Sequence, residues 1–240
     1  MSPVARFTAV TRRHAILTLL ATLPLLAGCG ALGKIGAGSH NPPATVFTVS
    51  ARVTAVVING GSGSIDVTGS SRSTVAASQQ LSYSGKPPTA AHALHGTTLT
   101  LSYSCPGEPL CGVSYAVQVP AGVSVTVATG SGPVTLTSLA GTVTARADAG
   151  LITAVDMRSA LASFKSNVGG IVATFSVAPR TLTATTNVGP ITLTVPGSVA
   201  YRLSTHTVVG TSTVTVRRSD DTAHSISASS DLGSISVSPS

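Results

Sequence analysis

Residues Leu182–Pro196 read LTATTNVGPITLTVP. Apolar and hydroxyl side chains alternate, the alternation halts at Gly189, and it then resumes. Successive side chains on a strand point to opposite faces, so a period of two places Leu182, Ala184, Ile191, Leu193 and Val195 on one face and Thr183, Thr185, Thr192 and Thr194 on the other. Thr and Val branch at Cβ and suit the pleated surface of a half-buried strand. The stretch is two short strands joined by a turn, with an aliphatic interior and a hydroxyl exterior.

The same phrase recurs. Aligning TGSGPVTL, RADAGLITA, KSNVGGIVA, TTNVGPITL and SSDLGSISV puts their glycines at Gly132, Gly150, Gly169, Gly189 and Gly233, with Gly210 in a looser copy, HTVVGTSTV. Successive intervals are 18, 19, 20, 21 and 23 residues. Repeats of this length are stacked coils, each unable to bury its apolar face without a neighbour. In the copy at Gly150 the inward set is Val143, Ala145, Ala147, Ile152 and Ala154. Equivalent positions stack about 4.8 Å apart and fill a narrow interior with small and medium side chains. Such a core has no room for tryptophan, and the chain contains none.

Two positions ahead of the glycine stand Asp148, Asn167, Asn187 and Asp231. Asn and Asp tolerate left-handed backbone and bond turn amides, while glycine takes positive φ without steric cost. The pairs Asp148 and Gly150, Asn167 and Gly169, Asn187 and Gly189, and Asp231 and Gly233 are therefore expected to form a turn ladder. A calcium-binding edge is the sharper alternative, but calcium wants about six to eight oxygens. Only two of the four positions are carboxylates, so no metal or other cofactor is expected.

Composition agrees with an all-β chain. Only 9% of the 240 residues are charged and 3% aromatic, which leaves few groups for acid, base or metal chemistry. Upstream of the repeats, strands are expected at 52–58, 64–67, 74–83, 97–103, 113–119 and 123–128, linked by Gly, Pro, Ser and Asn.

The first residues read as an export signal. Arg6, Arg12 and Arg13 precede an apolar run from Ala15 to Leu26, too short to span a bilayer comfortably. The run ends in LLAGC, Leu25–Cys29, which resembles a bacterial lipobox and implies diacylglycerol (and palmitate) on Cys29. TRRHAIL at 11–17 faintly resembles a twin-arginine motif. Residues 1–28 are thus expected to be a lipoprotein signal peptide, 29–44 a flexible tether rich in Gly and Pro, and 45–240 a single domain. Within it, 45–119 is a capping region and 120–240 the regular coils. Outside the cytoplasm, Cys105 and Cys111, separated by PGEPL, are expected to form a disulfide. Three of the 14 basic residues precede Cys29, which leaves 11 against 7 acidic ones, or +4. No basic cluster is interleaved with aromatics, so no nucleic-acid partner is expected.

VPAGVSV at Val119–Val125, GSGPVTL at Gly130–Leu136 and the later copies resemble the bacterial putative-adhesin family of domains of unknown function, often found on lipoproteins. The resemblance runs from about Val53 to the end. It implies a parallel β-solenoid, β-helix-like, with a less regular N-terminal part, and a cell-surface role. The copy around Gly210 departs from the family pattern, as does the cysteine loop.

Chemistry is sparse. His92 and His95, in TAAHALHG, read as loop residues without a third zinc ligand. Four residues before each glycine the outward parity carries Ala128, Arg146, Lys165, Thr185, His206 and Ser229. Arg146, Lys165 and His206 are therefore a candidate binding face for an anionic polymer or headgroup, weighed against a merely solvated face. Asp66, Glu108, Asp156 and the pair Asp220 and Asp221 fall on different segments, so no enzyme is expected. Rows such as Thr192 and Thr194 resemble ice-binding solenoids, yet the drifting coil length argues against a lattice and β-propensity explains the threonines. The expected function is a lipid-anchored, surface-exposed, non-catalytic adhesin or display module of the cell membrane. The alternative is an envelope scaffold lipoprotein with no external ligand. Partners are the membrane through the lipid, a surface glycan or envelope protein, and end-to-end copies, because the last coil shows no cap.

Overall fold

The computed structural model describes residues 39–240 apart from 106, 108 and 109. The expected signal peptide, the lipidation site Cys29 and most of the tether lie outside the described residues. Every described element is a strand. The first seven are β1 (Thr45–Val49), β2 (Ala55–Asn59), β3 (Ile65–Ser70), β4 (Val75–Tyr83), β5 (Thr89–His95), β6 (Thr98–Ser104) and β7 (Cys111–Pro120). Then come pairs joined at the repeat glycines: β8 (Ser124–Ser131) with β9 (Val134–Thr137), β10 (Val143–Ala149) with β11 (Ile152–Met157), and β12 (Leu161–Val168) with β13 (Ile171–Phe175). Three further pairs follow, β14 (Thr181–Val188) with β15 (Ile191–Val195), β16 (Arg202–Val209) with β17 (Ser212–Val214), and β18 (Ser225–Leu232) with β19 (Ile235–Pro239).

The two strands of a pair go to different sheets. One sheet runs β1-β4-β7-β3-β9-β11-β13-β15-β19-β17 and the other β16-β18-β14-β12-β10-β8-β2-β6-β5. Neither closes on itself. Both are parallel except at the N-terminal end, where β1, β4 and β5 pair antiparallel with their neighbours. The period-two pattern sets the register: Val143 lies beside Ala162 and Val125, Leu182 beside Ile226, and Ile191 beside Ile171 and Ile235. A slip of one residue would turn every aliphatic side chain outward, so the pairing is strongly specified.

One apolar core lies between the sheets, and the inward residues expected from the repeat, Leu182, Ala184, Ile191, Leu193, Val195, Val143, Ala145, Ala147, Ile152 and Ala154, are all buried in it. Volume is balanced across rungs rather than within them. Phe164 is fully buried because its neighbours above and below in the stack are Ala145 and Ala184.

Two features differ from the sequence expectation. The segment Thr89–His95, expected to be a connection, is strand β5, antiparallel to β6. Its His92 ring stacks on Phe47 of β1 at 4.1 Å between centroids, so the outermost strands of the two sheets meet across the mouth of the core. More consequential is the order of the strand pairs. The C-terminal pair β18 and β19 does not follow β16 and β17 in the stack but inserts between that pair and β14 and β15. At the other end β2 and β3 likewise sit between the β6 and β7 layer and the β8 and β9 layer.

The physical reason lies in the inward residues. The last coil offers Ile226, Ala228, Ile235 and Val237, all buried. At those positions β16 and β17 offer Leu203, Thr205, Ser212 and Val214, so hydroxyls replace Ala228 and Ile235. The Ser212 Oγ and Thr205 Oγ1 hydroxyls hydrogen-bond to each other at 2.9 Å. A pair with hydroxyls at two aliphatic positions loses less at the end of the stack, where one side meets water, than in its middle, so it terminates the stack. The free end expected at the last coil is therefore at β16 and β17.

Candidate functional site: the turn edge and the outer faces

The repeat glycines form a column in stack order, Gly63, Gly132, Gly150, Gly169, Gly189, Gly233 and Gly210. From Gly132 onward, a Cβ added at each would collide with the carbonyl oxygen of the preceding glycine in the column. Gly189 also has φ of +145°. Glycine is required here for close approach of stacked turns as much as for its backbone conformation.

A second column supports these turns. Three residues before the glycine, the inward hydroxyls of Ser166, Thr186, Ser230 and Thr207 donate to the carbonyls of Gly150, Gly169, Gly189 and Gly233, at 2.8 to 3.0 Å. Ser166, Thr186 and Ser230 are buried, so each hydroxyl satisfies both itself and a turn carbonyl. Ala147 interrupts the series. The sequence reading missed this ladder because hydroxyls are everywhere in the chain. The signal was present in its parity, a polar residue recurring at an inward position. Asp148, Asn167, Asn187 and Asp231 are by contrast at the surface, and among the described residues the hydrogen bond within this set is from Asn167 Nδ2 to Asp148 Oδ1 at 3.0 Å.

Arg146 and Lys165 are register partners on adjacent strands of one outer face. The column continues through Thr185 and Ser229 to His206 on the edge strand. Two of the three candidate face residues are thus neighbours, while His206 stands apart from them by two uncharged rungs. The outer face of the other sheet carries Thr135, Thr153, Val172, Thr192, Ser236 and Thr213 in one register row. Variation in coil length is absorbed in the connections, and the row stays aligned.

Cys105 and Cys111 are joined by a disulfide that closes the loop before β7. It borders a shallow groove lined by Ser62, Ser82, Leu110 and Ser114. The Tyr103 hydroxyl bonds the amides of Gly61 and Ser62 nearby. A second open groove lies over Asp66, Thr68, Arg72, Ala76 and Gln118. His224, overlooked in the sequence, packs edge-on against buried Tyr201 and bonds the Pro179 carbonyl through Nδ1 at 2.8 Å.

Among the described residues two polar atoms are orphaned in the core, the Tyr115 hydroxyl and Gln79 Oε1, on residues paired across β4 and β7. Burial, reinforced by nearby Tyr103, pushes the Tyr115 hydroxyl up to about 12. Asp156 sits at φ of +51°, and its carboxylate is held below the usual range by the Ser176 and Ser138 hydroxyls, with Arg158 adding to the effect. Among the described residues no three His, Cys, Asp or Glu side chains cluster as metal ligands would.

Similar solved structures include a putative cell adhesion protein from Clostridium sporogenes, 13% identical, covering 83% of this chain and 100% of that one, with a TM-score of 0.48. Another is a putative adhesin from Bacteroides fragilis, also 13% identical, covering 82% of this chain and 97% of that one, with a TM-score of 0.42. No family model and no curated protein matches the sequence.

Proposed function

We propose that the chain is an exported, lipid-anchored, non-catalytic display or adhesion module, built as a parallel β-solenoid that binds through its strand faces. The observation that carries this reading is the outer face on which Arg146 and Lys165 stand side by side in register, flanked by hydroxyl rows rather than by a cleft. Two cations on neighbouring strands, whose backbones lie about 4.8 Å apart, match an extended anionic polymer better than a small ligand. The disulfide supports an address outside the reducing cytoplasm, and the lipobox-like LLAGC supports the anchor.

The test is retention of the folded unit, residues 39–240, on anionic surface glycans and on anionic vesicles, with Arg146→Ser and Lys165→Ser together as the comparison. Loss of retention at low salt, with the variant still folded, supports the face. Equal retention by the variant sinks it. Cells expressing the full chain should expose the unit to external protease.

A further inference from the structure

The outer face that carries Arg146 and Lys165 is uneven. Two residues back along the same strands, Thr144, Ser163 and Thr183 lie in register on β10, β12 and β14. Ser163 is the smallest of the three and stands between threonines, and the surface dips over it. Thr142, Leu161 and Thr181 border the dip on the side where the strands begin, and its volume is about 130 Å³. Outward parity puts Leu161 in solvent, 47% exposed, beside these hydroxyls. A single exposed leucine needs no explanation. Next to a depression and two cations it supplies the apolar patch of a small site.

Size, polarity and charge together define what fits. Pockets for drug-sized ligands begin near ~300 Å³, so the dip takes one ring-sized unit. Hydroxyls on three adjacent strands, whose backbones lie about 4.8 Å apart, both donate and accept hydrogen bonds, which suits a partner that is itself hydroxylated. Leu161 offers the C–H face of a sugar ring an aliphatic contact. Arg146 and Lys165 leave their strands about 6.7 Å further along than Thr144 and Ser163, within reach of an acidic group on the same ring. Arg146 presents a planar fork to such a group and Lys165 a point charge. Asp148 does not oppose this. It lies two residues beyond Arg146, on the side away from the dip, and its Oδ1 accepts from Asn167 Nδ2 at 3.0 Å. A lipid headgroup would also meet the cations, but its acyl chains would find hydroxyls around Leu161 rather than apolar surface.

Building on the strand-face reading of the function, we infer that the dip over Ser163, with Arg146 and Lys165, is a subsite for one acidic sugar residue of a polysaccharide. The ring packs on Leu161, its hydroxyls exchange hydrogen bonds with Thr144, Ser163 and Thr183, and its carboxylate or sulfate meets the two cations.

Affinity electrophoresis of the full chain in mild detergent, through polygalacturonate, dextran sulfate and uncharged dextran, tests this. Retention by an acidic polymer and none by dextran is expected. Ser163→Ile fills the dip and leaves both cations in place, and it should raise the dissociation constant for the retained polymer about tenfold. Leu161→Ser, which removes the apolar patch, should act in the same direction. Both positions are on the outer face, and an unchanged melting curve will show that the variants are folded. A loss confined to polygalacturonate makes the acidic group a carboxylate, and one confined to dextran sulfate makes it a sulfate. If Arg146→Ser with Lys165→Ser abolishes retention while Ser163→Ile and Leu161→Ser leave it intact, the face binds by charge alone and the subsite is overturned. If the double cation variant is retained as well as the parent, or neither acidic polymer retains the parent, the strand-face reading falls with it. Binding to anionic vesicles that weakens in Ser163→Ile as polymer binding does would overturn the sugar in favour of a lipid headgroup.

Discussion

Gly189 shows how narrowly single positions are constrained. Its φ is +145° and a Cβ would strike the Gly169 carbonyl, which is backbone and cannot yield. Gly189→Ala should therefore cost about 3 kcal/mol, read as a shift in the denaturation midpoint; a neutral change would mean that the turns are not stacked this closely. Tyr115 is constrained in the opposite sense. Its hydroxyl is buried without a partner, and such a group costs about 1–3 kcal/mol, so Tyr115→Phe should stabilise the protein by about 1 kcal/mol. The pH dependence has a definite sign. With the ordinary value at 10.0 and the folded value at about 12, the unfolded chain gives up this proton first. Folding stability falls as pH rises through that window, and the fall should be shallower in Tyr115→Phe. At this scale the glycines were legible because they recur, and the cysteine pair because its spacing is short. The orphaned hydroxyl was not, since a lone tyrosine in an alternating strand reads as any other inward residue.

At the scale of the strand pair, the hydroxyl column is the element that distinguishes this stack from a purely aliphatic one. Thr186→Val keeps the shape and removes the donor to the Gly169 carbonyl, which should cost about 1–2 kcal/mol in chemical denaturation. The converse is also available. Ala147 occupies the same position in its coil, buried and without a hydroxyl. Ala147→Ser should supply a donor for the Gly132 carbonyl and gain about 0.5–1 kcal/mol. If Ala147→Ser destabilises as Thr186→Val does, the column is packing rather than hydrogen bonding. Alternation made the strands and their inward residues legible from Val123 onward, because period two leaves little freedom of register. It concealed strand β5, where Thr89–His95 lies at an edge with few buried side chains, and nothing in its pattern separates an edge strand from a loop.

For the whole molecule, the order of the strand pairs matters most, and repeat spacing is silent about it. Near-identical strand pairs can stack in any sequence their connections reach, so the choice falls to the interior residues: Thr205 and Ser212 suit an end, and Ala228 and Ile235 at the same register suit the middle. These residues were in plain view in the sequence, but an inward hydroxyl reads as a flaw in the repeat until the stack is known. The inserted order makes a prediction opposite to that of a chain stacked in sequence. Leu203 and Ile226 are register partners at the same inward position, on the edge strand β16 and the interior strand β18 respectively. Ile226→Ala should open a cavity enclosed on both sides and cost about 2–5 kcal/mol, while Leu203→Ala, beside solvent, should cost less. Amide hydrogen exchange should likewise be slower over Ile226–Ser230 than over Leu203–Thr207, although β18 lies closer to the C-terminus, where fraying is ordinarily greatest. Faster exchange in β18, or a larger loss at Leu203, would place the last coil at the end of the stack. The Thr205 and Ser212 hydroxyls would then lie in the interior, at the register of Ala228 and Ile235, with no water to face.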